Sequence, residues 1–278
     1  MSTERTVSIG GDASGIFITG DWNVVQAPAL PTVDVPRRTE AYLETVTREW
    51  SSVRLEGEGG ASLSLERVFF MLQARPQPER RPLEPPRPDL ELSPERLEAA
   101  GAPPEKPAPP PPPVPLGQAL REAEHLALLG EPGAGKSTAL QFIGLCFARA
   151  KEGWHTERLG VEAPLIPVLL PLPVRAEAIA RGETLWDALR AEVRRCLQAC
   201  TDAEAETLLR SWSDEKRLLV LLDGLDEVRE AERAAVIEQI QRFVNSGCGR
   251  VVVASRPAGF PPLGGAQQST LKPSEDPE

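Results

Sequence analysis

Hydrophobic and polar positions in the second half of the chain follow two alternating patterns. One is the short, nearly unbroken apolar run: LIPVLLPL at 165–172, LLVLLD at 218–223 and RVVVAS at 250–255. The other recurs at helical spacing, as in ERAAVIEQIQRFV, where Val236, Ile237, Ile240, Phe243 and Val244 share a face. GQALREAEHLALL predicts a helix running into a strand that ends near Leu129. STALQFIGLCFARA, TLWDALRAEVRRCL and AEAETLLRSW predict further helices. Apolar strands alternating with helices predict an α/β fold, a parallel sheet covered on both faces. Pro167 and Pro171 cannot donate to a sheet ladder, which puts 165–172 at an edge.

Four segments precede or hold this pattern. Residues 1–30 form a Gly-rich β-like segment, and 31–75 a helix/strand linker region around EAYLETVTREW and LSLERVFFML. Tyr42, Leu43 and Trp50 are the side chains there suited to docking on the following domain. Residues 76–115 contain sixteen prolines, with Pro109 to Pro113 consecutive, and predict an extended polyproline II spacer; a ligand for an SH3-type domain is the other reading. Residues 116–278 hold the alternating pattern.

The 278 residues carry a net charge of -10 and no basic stripe, which argues against nucleic-acid binding. Four cysteines without a CxxC and only two histidines argue against a zinc site. Cys196 and Cys200 are read as small residues at i, i+4 of a helix. Cysteine usage of this kind suits a reducing compartment, no apolar run approaches the roughly 18 residues of a membrane span, and the N-terminus lacks a signal-peptide core. The expected location is cytoplasmic.

Chemistry concentrates at two places. GEPGAGKST (130–138) matches GxxxxGK[ST] between a predicted strand and a predicted helix. Gly130, Gly133 and Gly135 permit positive φ and close approach of a ligand to the backbone. Together with Glu131, Ala134 and Thr138 they expose N–H groups at a helix N-terminus, which favours phosphate, and Pro132 completes the loop without a donor of its own. Lys136 is expected to reach the β- and γ-phosphates, and the Ser137 hydroxyl to ligate Mg²⁺.

The second place is LLVLLDGLDE (218–227), where an apolar strand runs into Asp223, Asp226 and Glu227. Charges beside a core are costly unless paired. Ligands of open α/β sheets bind at the carboxyl ends of strands, so Asp223 is placed to hold Mg²⁺. Glu227 is the first candidate to orient or deprotonate an attacking water and Asp226 the second. The competing reading makes Asp226 a helix cap and Glu227 a solvated first-turn acid. Arg256 ends a third strand, VVVASRP, as a candidate γ-phosphate sensor; its competing reading is a surface arginine paired with a nearby acid.

GEPGAGKST, LLVLLDGLDE and VVVASRPAGF together resemble the NACHT class of STAND P-loop NTPases, the DGxDE form of the second motif most tellingly. The resemblance covers residues 116 to about 273. It implies a five-stranded parallel sheet flanked by helices, with STLKP (269–273) as the fifth strand, and an ATP/ADP- and Mg²⁺-dependent switch. Residues 130–138 would bind phosphate, Asp223 would serve magnesium, Asp226 and Glu227 hydrolysis, and Arg256 would occupy the sensor position. Family members are held inactive with ADP and form homo-oligomers with ATP. The family continues into a helical and a winged-helix part, so the chain is read as truncated after the NTPase core.

IGGD at 9–12 and ITGD at 18–21 form a weak internal echo. Residues 7–25 are therefore expected as short β segments, paired within the chain or, alternatively, self-associating between chains. The leading functional expectation is a signal-transduction switch, in bacterial defence or regulation, with slow ATP hydrolysis. The alternatives are a non-catalytic nucleotide-dependent oligomerisation scaffold and a constitutive P-loop ATPase.

Overall fold

A computed structural model of the chain describes residues 33–54, 62–65, 73–76, 114–257, 260 and 266–272. The chain divides into a unit ending at Asp34 and a unit beginning at Val35. All elements below belong to the second. The expectations for residues 1–30, for 66–72 and for the body of the proline-rich segment fall outside the described residues.

The fold is a mixed α/β structure built on a parallel sheet. Strands β3 (Gln73–Pro76) and β4 (Val114–Pro115) precede helix α2 (Leu116–Glu122) and β5 (His125–Leu129). Helix α3 (Lys136–Ala148) and the short α4 (Trp154–Leu159) lead to β6 (Ile166–Pro171). Helices α5 (Leu172–Ala180), α6 (Leu185–Cys196) and α7 (Asp202–Asp214) lead to β7 (Leu218–Asp223). Helix α8 (Glu230–Ser246), β8 (Arg250–Ser255) and β9 (Ala266–Lys272) complete the order. The sheet runs β4-β3-β9-β5-β8-β7-β6. From β9 to β6 every neighbour is parallel, while β3 pairs antiparallel with both β9 and β4.

The sheet is thus larger than the five strands expected. The extra strands, β3 and β4, come from either side of the proline-rich segment and add an antiparallel edge beyond β9. Each is two to four residues long. Such pieces carry no periodic signal, and their pairing is set by distant partners.

The central strands are buried because helices cover them. All five residues of β5 are buried, as are the first five of β7. Helix α3 packs over β6, β7 and β8, while α6 and α7 contact β6 and β7. Helix α3 is apolar nearly all round, with Leu140, Phe142, Ile143, Leu145 and Phe147 in the core. Two helices start with capping boxes. Thr184 and Asp187 close the N-terminus of α6, and Thr201 and Glu204 that of α7. Helix α6 ends at Cys196, and Ala199 adopts φ 52°, so Cys196 and Cys200 do not share a helix face as expected.

β6 is the outermost strand, as its prolines predict. Its edge is covered by α1 (Val35–Trp50), which buries Thr39, Tyr42, Val46 and Trp50 in one stripe. The fully buried Tyr42 hydroxyl donates to the Pro167 carbonyl at 2.9 Å. Burial pushes this phenol well above its ordinary value, which keeps it a neutral donor. Trp212 Nε1 donates to Thr39 Oγ1 at 2.9 Å, and the Tyr42 and Trp212 rings lie 5.1 Å apart. Trp50 seats on Gly144 of α3, where an added Cβ would lie 2.5 Å from the indole. Leu43, one residue off the buried stripe, is only half-buried. Helix α1 is therefore an integral cover of the sheet edge. A small hairpin of β1 (Ser52–Arg54) and β2 (Ser62–Ser64) follows it, and Leu65 anchors in the core.

Candidate functional site

The site forms because β5, β8 and β7 are adjacent and parallel, in that order. Their carboxyl ends carry, respectively, the 130–138 loop, Arg256 and the acids from Asp223 onward. Parallel strands put all their carboxyl ends on one rim of the sheet, which is where open α/β sheets receive ligands.

The loop leaves β5 with Gly130 N–H donating to Ser255 O, which ties it to β8. Ala134 N–H returns to Glu131 O, and Ala139 N–H to Gly135 O opens helix α3. Gly133 and Gly135 adopt φ 76° and 78°, a region that costs other residues roughly 1–2 kcal/mol. Nothing lies within 4 Å of a Cβ built on either. Gly130 differs from expectation, since its φ is not positive; there a Cβ would stand 3.0 Å from that of Ala134, so space rather than conformation selects glycine. Glu131, Pro132 and Ser137 are exposed, and Ala134, Lys136 and Thr138 half-buried. Lys136 Nζ folds back to donate to Gly130 O at 2.7 Å and Glu131 O at 3.2 Å. The ammonium is thereby held at the loop mouth.

Asp223 closes β7 and accepts hydrogen bonds from the Ser137 hydroxyl and the Gly224 N–H. Burial is the largest influence on its carboxyl and raises it from the ordinary value; the two hydrogen bonds and the charge of Lys136 act the other way. A carboxyl raised in the fold favours the folded chain while protonated, and that contribution is lost as pH rises through the raised value. The ionised form is thereby disfavoured in the fold, a cost that a nearby cation would offset.

Gly224, at φ 75°, turns the chain into a single 3-10 turn, Leu225–Glu227. Glu227 N–H bonds Gly224 O, and the Glu227 carboxylate lies over Gly224, with Oε2 3.2 Å from where a Cβ would stand. Neither acid belongs to the following helix, which starts at Glu230 without a side-chain cap. The capping reading of Asp226 therefore does not hold. Instead, Asp226 Oδ2 meets Arg256 Nε at 2.7 Å, and the Asp226 side chain is only 11% exposed against 50% for Arg256. This pair is the reading set beside the sensor role of Arg256, with a partner from the site itself.

One contributor escaped the sequence reading. Arg233, on the first turns of α8, donates to Asp226 O at 3.2 Å and Val228 O at 2.9 Å, fixing the turn that carries the acids. Its position seven residues after Asp226 gives no pattern to find it by.

Among the described residues no group of three or more His, Cys, Asp or Glu side chains is arranged to hold a metal. The oxygen pair of Ser137 and Asp223 suits a hard cation that keeps waters and phosphate oxygens as its remaining ligands, the habit of Mg²⁺. No helix among the described residues is long and apolar enough to cross a membrane. No protein-family model matches the chain, and no curated protein matches it.

Proposed function

We propose that the chain binds ATP and ADP with Mg²⁺ on the 130–138 loop and acts as a nucleotide-dependent signalling switch of the NACHT/STAND P-loop NTPase class. The observation that carries this reading is the meeting of the loop, Asp223, Glu227 and Arg256 on one rim of three adjacent parallel strands, with Ser137 bonded to Asp223. In this reading the loop amides and Lys136 hold the phosphates. Ser137 and Asp223 hold Mg²⁺, which when bound neutralises phosphate charge. Glu227 orients or deprotonates the attacking water, and Arg256 faces the γ-phosphate. The preference for adenine, the cytoplasmic location, assembly into homo-oligomers and a role in bacterial defence rest on the resemblance of the three motifs alone.

Turnover and mass separate this switch from its alternatives. Slow phosphate release with an oligomer that grows in MgATP and not in MgADP is the expected result, read by phosphate assay and light scattering. Steady turnover at constant mass would replace the switch by a constitutive ATPase. Nucleotide-dependent assembly without turnover would make the chain a scaffold.

A further inference from the structure

We infer that Asp226 is a positioning residue for Arg256 rather than a second base, and that it sets the preference of the site for a triphosphate over a diphosphate. The inference rests on the nucleotide-binding reading above. Asp226 grips the guanidinium by its Nε edge at 2.7 Å. Arg256 makes no other ion pair or side-chain hydrogen bond among the described residues, so Nη1 and Nη2 are left for a ligand. Half of the Arg256 side chain is exposed, whereas Asp226 is nearly covered. The carboxylate is therefore the fixed member and the guanidinium the presented one.

Asp226 is itself held. Its backbone oxygen accepts from Arg233, which also clamps Val228 O, and Gly224 sets the turn before it. Its second carboxylate oxygen, Oδ1, is buried with no hydrogen-bond partner among the described residues. Arg256 is thus the group that compensates this buried acid, and a carboxylate so occupied is a poor choice to take a proton from water. Glu227, exposed and without an ion pair among the described residues, is free for that task. The two acids of one turn have divided roles: one aims the cation and the other faces water. An arginine aimed from its Nε edge offers a two-pronged donor in a fixed plane, which suits phosphate oxygens. Because it sits after β8, beside β5, it meets the far end of a triphosphate whose inner phosphates lie on the loop. A diphosphate leaves it without a partner.

The test is titration of MgATP and MgADP into the full chain and into Asp226→Asn, Arg256→Ala, Arg256→Lys and the Asp226→Asn/Arg256→Ala double variant, with phosphate release measured alongside. The expected result is a fall of about tenfold in the ATP-to-ADP affinity ratio in each single variant, the scale of one charge-assisted contact. The double variant should show no further loss, and ADP affinity should stay unchanged throughout. Arg256→Lys should fail to restore the ratio because lysine has no Nε edge to be held, whereas Asp226→Glu, which keeps the carboxylate, should recover part of it. Should Asp226→Asn not fold, the arginine variants and Asp226→Glu carry the same comparison. A ratio unchanged in Asp226→Asn, with turnover reduced as far as in Glu227→Gln, would make Asp226 a base and overturn the inference. So would a ratio preserved in Arg256→Lys. Failure of the unaltered chain to bind either nucleotide would instead remove the underlying reading, and this inference with it.

Discussion

Glu227→Gln is expected to lower ATP turnover by roughly 10²–10⁴-fold, the range typical of a positioned general base, while MgATP and MgADP affinities stay within a factor of about two. Of the three acids after the apolar run of β7, Asp223 is engaged with Ser137 and Gly224 N–H, and Asp226 with Arg256. Glu227 alone of the three is exposed, and among the described residues it is held only through its backbone N–H to Gly224 O. Its carboxylate nevertheless has a definite place, over Gly224 on the rim where β5, β8 and β7 end. Glutamine keeps the shape and removes the basicity, so a base and a spacer give opposite results. Steady-state phosphate release beside a binding titration reads both quantities. Full turnover in Glu227→Gln would take the base role away from this residue.

Tyr42→Ala is expected to destabilise the folded chain by about 3–5 kcal/mol, the usual cost of deleting a buried aromatic ring. That is a large share of the roughly 5–15 kcal/mol by which domains are stable, so partial unfolding at ordinary temperature is the expected appearance. The ring is fully buried against Trp212, and the hydroxyl satisfies a carbonyl on the sheet edge that no strand pairs among the described residues. Tyr42→Phe isolates that second part and should cost about 1–3 kcal/mol, since it orphans the Pro167 carbonyl in a covered place. Denaturant unfolding of both variants measures the two terms. An unchanged midpoint in Tyr42→Ala would mean that α1 is an appendage, and that residues 31–75 are a linker after all.

What could be read from the sequence follows from which signals are local. β5, β7 and β8 announce themselves because a strand covered on both faces is apolar at every position. The loop at 130–138 needs only its own residues to specify its turns, and Gly133 and Gly135 adopt the left-handed conformation for which glycine is suited. Helix α1 is recognisable by spacing, but its seat is not: Trp50 reaches Gly144 and Tyr42 reaches Pro167, contacts of about a hundred residues' separation that no local pattern encodes. β3 and β4 escaped for the same reason, being too short to show a period. Helix α5 escaped because Pro171 and Pro173 look like breakers, although proline is well suited to a first helical turn. The capping boxes at Thr184 and Thr201 were available as a Thr followed three positions later by an acid, and would have fixed two helix starts.

The candidate site divides in the same way. Its residue types were evident from two motifs and a strand end. Which acid meets which base depends on β7 and β8 being neighbours in parallel, a property of the assembled sheet. The Asp226–Arg256 pair replaces the helix cap that a purely local reading of Asp226 suggested.

The most direct measurement is titration of MgATP and MgADP into the purified chain beside Lys136→Ala, with bound nucleotide extracted from both. Lys136 Nζ now rests on the loop carbonyls of Gly130 and Glu131, so its removal takes away the site's principal positive charge without opening the core. The proposed nucleotide site predicts saturable binding by the unaltered chain and a loss of at least about 100-fold in Lys136→Ala, on the scale of a lost charged contact to phosphate. Equal binding by the two proteins, or none by either, would contradict it.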